Sequence, residues 1–514
     1  MRAGRAGPVL PAHWGLTLDV GLRRTDAGQV LIGGYPVRIL RLSPTGARTV
    51  DDWAAGGPVG KAAATQNLAR RLVDAGMAHP APTAGTAGAT TARGPNPTVS
   101  LVVPTRDRPA ALARLLNTAL GQGFSGPRPP GSGWPVPVEV IVVDDGSAEP
   151  AAVAVVAERF GARLLRHPRP LGPAAARNRG WRSAEGELVA FLDDDCRCPD
   201  GAGWMEALTP IFQDPSVALV APRVQSTRGR APGWLAAYES AHSPLDRGPT
   251  PAPVRPASPV PFVPAAALIA RRTALEAAGG FDESLPVGED VDLVWRLAEA
   301  GWSARYVPEA VITHEVRPEL ASWLAQRFRY GSSAVPLDRR HPGAVAPVRL
   351  SGWTALAWAL VGTGAPPGVV AGVAVGAGTT AFLVPRLSGL EHPLTEAVRL
   401  TGRGQLWVGR RILDALRREW WPVLVAGLLT RRGRRVGLVV LLAAVLDSRR
   451  SRPAGVSRLR WLGLALADDT AYGAGLWSAA LSSRRFGALA PRLSSSPHSA
   501  QMTPPGSAQT TLST

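Results

Sequence analysis

The chain has 514 residues, 57 Lys plus Arg against 39 Asp plus Glu, a formal net charge of +18 and a pI near 11.3. That length suits two or three domains, because single cores rarely grow beyond about 250–300 residues. The positive charge is almost all arginine, with Lys61 the only lysine, and no helix-turn-helix, zinc-finger or RNA-binding signature accompanies it, so nucleic acid is not expected as a partner.

Residues 1–15 form a flexible start without the apolar core of a leader peptide. Residues 16–79 read as a first small domain. Short segments ("LTLDVGLRR", "QVLIGG", "VRILRLS") precede a helical stretch in which Leu68, Leu72 and Val73 share a face and Gly76 is placed to end it. Residues 80–97, "PAPTAGTAGATTARGPNP" at their heart, have the composition of a linker.

Over 98–345 apolar runs alternate with helical segments: "TVSLVVP", "PAALARLLNTAL", "VEVIVVDDGS", "AAVAVVAERFG", "ARLLRH", "AAARNRGWRSA" and "ELVAFLDDD". This pattern predicts an α/β domain around a parallel, doubly wound sheet, whose ligands bind at the carboxyl ends of the strands. "PTRDR", "DDGS" and "DDD" all fall at such ends and are expected to converge on one crevice, with the Pro- and Arg-rich segment 223–263 looping over it. Cys196 and Cys198, the only cysteines, make one C-x-C with no second pair for zinc and a poor spacing for a structural disulfide, which predicts reduced thiols and a cytosolic setting.

Three adjacent acids, Asp193, Asp194 and Asp195, repel one another by roughly 4 kcal/mol per pair at ~4 Å and an effective dielectric near 20. A hard divalent cation, Mg2+ or Mn2+, that keeps water and a substrate phosphate in its shell is the expected counterion. A second acidic cluster, "GEDVDLVWRLAEAG", opens a helix with Glu289 and Asp290 in its first turn and Val291, Val294, Leu297 and Ala298 as its buried stripe.

Taken in order, "SLVVPTRDRP", "VVDDGS", "GPAAARNRG", "FLDDD" and "GEDVDL" resemble the family 2 inverting glycosyltransferases, whose GT-A domain binds nucleotide sugars. The resemblance covers about residues 98–330. It implies that Thr105 and Asp107 lie where the first loop meets the base and that Asp144 or Asp145 accepts from uracil. Arg177 and Asn178 fall where the nucleotide is held, and Asp193 and Asp194 at its ribose and phosphates. Asp195 would ligate the metal, with His314 of "AVITHEV" as a second ligand, and Asp290, beside Glu289, would be the general base. In "LAQRFRYGSSA", Gln326, Arg329 and Tyr330 resemble the Q-x-x-R-W acceptor element of β-1,4-glucan synthases, with Tyr for Trp. Residues 16–79, through "LSPTGARTVDDWAAG" and "LARRLVDAGMA", resemble the small winged-helix chaperones that present precursor peptides to modifying enzymes by strand addition. Together the two resemblances imply a peptide-derived acceptor, a ribosomally made redox cofactor that receives β-1,4-linked glucose from a UDP-sugar donor.

Residues 346–486 read as an apolar helical region. The span 351–385 carries no charge, but Pro366-Pro367 predicts a break into two helices, and "WWPVLVAGLLT" and "VGLVVLLAAVL" around "RRGRR" are too short to span a bilayer. These features predict membrane association on the cytoplasmic face, a wholly cytoplasmic chain being the alternative. Residues 487–514 read as a Ser- and Thr-rich disordered tail.

Overall fold

A computed structural model describes residues 8–82, 97–120, 139–227, 233–316, 319–453 and 455–494. Most of the expected linker 80–97, the first seven residues and the tail beyond 494 lie outside the described residues. The chain divides into two compact units, one of residues 1–83, 350–407 and 493–514, the other of residues 84–349 and 408–492. The apolar region expected to be one domain, 346–486, is therefore shared between them.

In the first unit, strands Arg23–Thr25, Val30–Gly33 and Arg38–Arg41 form an antiparallel sheet, and Gly15–Leu18 pairs with Ala78–Ala81. Helix Pro44–Ala54 starts where the Ser43 hydroxyl accepts from the Gly46 amide, with proline in its first turn. Helix Ala63–Ala75 ends at Gly76, which takes φ 74° as the sequence predicts. Trp14, Val50, Trp53, Leu72 and Met77 fill the core between them. Val30 and Ile32 pack against Leu387, Leu390 and Ala397, and Arg23 pairs with Glu396. The uncharged span forms two helices, Gly352–Gly362 and Pro366–Leu383, broken where Pro366-Pro367 predicts.

The second unit is built on a nine-stranded sheet. Strands Arg163–Arg166, Glu139–Asp144, Val99–Thr105 and Leu188–Leu192 lie side by side and parallel. Next comes Ala267–Arg271, antiparallel to Leu188–Leu192, then Val217–Thr227, antiparallel again, and Ser303–Glu315 parallel to that. The sheet is thus mixed, not parallel throughout: an apolar run such as "AAALIAR" marks a buried strand but carries no sign of its direction. The expected loop 223–263 also holds structure. The strand continues to Thr227, and helix Trp234–His242 and the short strand Ala252–Pro253 follow. Buried Val, Ile and Leu line both sheet faces, which places the polar strand ends at one rim. At that rim the turn after Asp145 requires glycine: Gly146 has φ 73°, and a Cβ there would stand 2.6 Å from the backbone of Arg169 and Pro170.

Helix Leu320–Ser332 packs along helix Arg458–Ser483. The two approach so closely that a Cβ on Gly331 would strike the Tyr472 carbonyl, and one on Gly475 the Phe328 carbonyl. Between them Arg327 is buried, paired with Glu239 and, at 3.0 Å, with Asp468, while Trp323 donates to Glu239 at 2.7 Å.

Candidate active site

The three consecutive acids leave strand Leu188–Leu192 in an extended turn, so their side chains point to different partners. Asp193 meets the Arg177 guanidinium at 2.6 Å, and the same guanidinium donates to Glu289 at 2.8 Å. Asp194 turns inward, accepting from the Thr105 hydroxyl at 2.7 Å and from Arg108 at 3.3 Å. Asp195 accepts from Arg108 at 3.0 Å and lies 3.2 Å from His314 Nε2. Cys196 pairs with His314 across the sheet, which fixes that approach. Each acid therefore has a protein partner, with Arg108 shared by Asp194 and Asp195, and these contacts offset part of their mutual repulsion.

The titration of the site follows from these contacts. Burial lifts Asp194 to about 6, with the neighbouring Asp195 and Asp193 charges adding to it against Thr105 and Arg108. Burial opposes charge on Asp195 too, but His314 and Arg108 outweigh it and hold that carboxyl well below the usual range. Burial works against a charged His314 as well, and Asp195 more than offsets it, raising the imidazole. Burial and the adjacent Asp290 carry Glu289 up to about 7, opposed by Arg177, and burial likewise raises Asp290.

Asp290 opens helix Glu289–Glu299, where it accepts from the Ala265 amide at 3.1 Å and from the Val291 amide at 2.8 Å. That helix is fastened from behind: His341 bonds Asp292 at 3.0 Å and Glu299 at 2.7 Å, and Trp295 donates to the Pro261 carbonyl at 2.8 Å.

The rim turns lock to one another. The Asp107 amide donates to Ser147, and the Asp107 carboxylate accepts from the Ala148 amide at 2.7 Å. Asp107 takes φ 56°, uncommon for a residue with a side chain, to make both contacts. Asp144 accepts from the Ser147 amide, and its second oxygen is buried without a hydrogen bond among the described residues. Asp145 is engaged by His167 at 2.7 Å and by the amides of Leu171 and Gly172. Asn178 exchanges hydrogen bonds with the Phe281 backbone, donates to Glu283 and accepts from Trp181, so its amide holds the loop 281–283 in place.

Gln326 donates to the Tyr330 hydroxyl at 2.8 Å, one turn on in the helix, while Arg329 is exposed and bonds back to Ala325. A Cβ on Gly288 would stand 3.5 Å from Ser333 and 3.1 Å from Leu337, so this helix ends against the start of the Asp290 helix. Gln326, Arg329 and Tyr330 lie seven, four and three residues before Ser333, on the same helical face.

Two partners of these acids escaped the sequence, Arg108, which bridges Asp194 and Asp195, and His341, which holds the Asp290 helix; Arg247, over the Phe262 ring at 3.8 Å from its centre, was not expected either. Arg108 stands inside "PTRDRP", where an arginine so near strand-end acids could have been flagged. Nothing local marks the other two.

Among the described residues no three acid, His or Cys side chains form a closed metal site. Asp195 Oδ1 nevertheless lies buried without an aligned hydrogen bond, beside the His314 imidazole. One carboxylate oxygen and one imidazole fit an open cation site completed by phosphate and water.

Residues 100–277 match the family described as Glycosyl transferase family 2. The chain is 38% identical over 497 residues to the pre-mycofactocin glycosyltransferases of two Mycobacterium tuberculosis strains, covering 94% of this chain and 98% of each relative. It is 29% identical over 253 residues to the N-acetylglucosaminyl-diphospho-decaprenol L-rhamnosyltransferase of that species, covering 40% of this chain and 76% of the relative. A solved mannosyltransferase from Pyrobaculum calidifontis in complex with GDP-mannose and Mn2+ aligns at 18% identity and TM-score 0.36, over 69% of this chain and 89% of that one.

Proposed function

The chain belongs to glycosyl transferase family 2 and is a glycosyltransferase, and from that premise we propose that it moves glucose from UDP-glucose onto a mycofactocin precursor, a peptide-derived acceptor, and extends it as a β-1,4-linked chain. The observation that carries this reading is the 38% identity along 94% of the chain, which takes in the first unit as well as the transferase domain.

In this reading the donor lies along the strand ends, with uracil toward Asp107 and Asp144 and the diphosphate toward Asp193 and Asp195. Asp195 and His314 would hold Mn2+ or Mg2+, which when bound supplies Lewis-acid stabilisation of the charge on the departing UDP. Asp290 takes the proton of the acceptor hydroxyl as it attacks C1 from the face opposite UDP. A single displacement inverts the anomeric centre, so an α-linked donor gives a β-linked product. Arg177 bridges Asp193 on the donor side and Glu289 on the acceptor side, and so fixes the spacing of the two halves.

Gln326 and Tyr330 are suited to cradle the end of a growing chain, and residues 16–79, by their resemblance to winged-helix peptide chaperones, to present the peptide part by strand addition. The apolar helix Pro366–Leu383 supports attachment at the cytoplasmic face of a membrane. The similarity to a transferase with a decaprenol-linked substrate favours a second reading, a cell-envelope lipid or polysaccharide acceptor with the same chemistry. Mass spectrometry of pre-mycofactocin incubated with the chain, UDP-glucose and Mn2+ tests the proposal. Added hexoses support it, and UDP-glucose turnover that leaves the precursor's mass unchanged shifts the acceptor to the second reading.

A further inference from the structure

Arg247 stands in the segment between helix Trp234–His242 and strand Ala252–Pro253, and its neighbours hold it still. Asp246 is gripped by Arg223 through Nε at 2.8 Å and Nη2 at 2.9 Å, its carboxylate also accepts from the Gly248 amide at 2.8 Å, and the Gly248 carbonyl accepts from the Tyr306 hydroxyl at 2.7 Å. The guanidinium carbon sits 3.8 Å from the centre of the Phe262 ring. Phe262 belongs to the segment that reaches the Asp290 helix through Pro261, whose carbonyl takes the Trp295 indole, and Ala265, whose amide bonds Asp290. Burial lowers Arg247 to about 10, and the Asp290 charge is the largest influence pulling it back up.

The edge of this guanidinium formed by Nε and Nη2 is buried, and among the described residues neither nitrogen has a hydrogen-bond partner. Buried unpaired donors cost about 1–3 kcal/mol and call for an explanation, more so when charged. The same edge of Arg223, earlier in the chain, shows what it takes: both oxygens of one carboxylate. A rigid fork of this kind matches two neighbouring oxygens better than a point charge does.

We propose that the Nε and Nη2 edge of Arg247 is an acceptor-binding fork, taking two adjacent oxygens of the acceptor beside the hydroxyl whose proton goes to Asp290. This rests on the transferase reading above and adds the residue that grips the acceptor. The other source of paired oxygens is the donor's diphosphate, which in the proposed reading lies by Asp193, at the opposite end of the Arg177 guanidinium from Glu289.

The test compares the full chain with Arg247→Ala and Arg247→Lys, measuring KM for pre-mycofactocin with UDP-glucose and, separately, the Kd of UDP by calorimetry. An acceptor fork predicts at least a tenfold rise in acceptor KM in both variants, since lysine keeps the charge but not the fork, with UDP Kd within twofold of wild type. A weakened UDP Kd with acceptor KM unchanged would assign the fork to the donor and overturn the proposal. Unchanged constants with only a lower Tm would make Arg247 a packing residue, which also overturns it. The wild-type reaction separates the two ideas: no hexose added to pre-mycofactocin by wild type counts against the acceptor named above, while the UDP measurement still decides whether the fork serves the donor.

Discussion

Arg177 and Glu289 stand 112 positions apart in sequence and 2.8 Å apart in space, and the other end of the same guanidinium holds Asp193. This bridge ties the strand-end acids to the first turn of the Asp290 helix. It is also the nearest cation that opposes protonation of the Glu289 and Asp290 pair.

With Asp290 as the proposed base, the pH dependence of transfer is expected to follow from that pair. A base must be unprotonated, and burial raises both carboxyls, Glu289 to about 7, so protons arrive at milder acidity than for free carboxylates. We expect kcat/KM to fall as pH drops below about 7. Replacing Arg177 by Gln removes the opposing cation and should move this acid limb upward by roughly one pH unit. Arg177→Lys keeps the charge and should move it less. A limb that stays in place in Arg177→Gln would mean that neither carboxyl controls the rate.

The two acids have separable duties. Asp290 accepts from backbone amides, and Glu289 is committed to Arg177. Asp290→Asn should lower transfer by about 10^2–10^4-fold while UDP still binds. Glu289→Gln retains an acceptor for Arg177 and should cost about tenfold. Single-turnover rates at saturating donor check this, and equal losses would mean that the pair acts as one unit.

Much of this centre is legible in the sequence because its acids are contiguous and sit at the ends of apolar strands: "VVDDGS", "FLDDD" and "GEDVDL" each announce themselves. Their partners do not. Arg177 is expected from "GPAAARNRG" to lie on the nucleotide side, but only the fold brings it to Glu289. His341 reaches Asp292 across 49 positions and leaves no periodic or compositional trace, and nothing local marks Arg247. The direction of strand Ala267–Arg271 was hidden because burial on both faces erases the alternation that separates strand environments. The close helix crossing at Gly331 and Gly475 was equally silent, since it depends on two glycines 144 positions apart.

His314 offers a test of the cation site. It lies 3.2 Å from Asp195, and we expect chelation to abolish UDP release and Mn2+ to restore it. His314→Ala should raise the Mn2+ concentration needed for half-maximal rate by at least the roughly 10–100-fold seen on losing an outer-shell metal partner. A metal titration identical to wild type would remove His314 from the site.

Arg327 is buried between Glu239 and Asp468, which belong to two different helices. Arg327→Ala would leave two carboxylates buried without their cation, at about 3–5 kcal/mol. The same change frees the helix that carries Gln326 and Tyr330. Urea unfolding reports the stability loss. In the proposed reading product mass spectra should show short hexose additions persisting while longer chains are lost, because Asp290 stays held by the Ala265 and Val291 amides and only the helix of Gln326 and Tyr330 is loosened.

The proposed membrane attachment rests on helix Pro366–Leu383. Within the 22-residue segment Pro366–Leu387 an 18-residue window has mean hydropathy 1.7 and only 6% of that window is buried, and Val369, Val370, Val373 and Phe382 are exposed. A soluble helix of this composition would be covered by its own protein. Eighteen residues reach about 27 Å, close to the ~30 Å hydrocarbon core, which suits a short span or a deeply seated interfacial helix. We expect the full chain to sediment with membranes, to resist high salt that strips arginine-mediated attraction, and to be released by detergent. Val370→Arg with Val373→Arg places two charges on the apolar surface and should move the chain into the soluble fraction with transfer to a soluble acceptor intact. Wild-type chain found soluble at low salt without detergent would instead assign this helix to a protein partner.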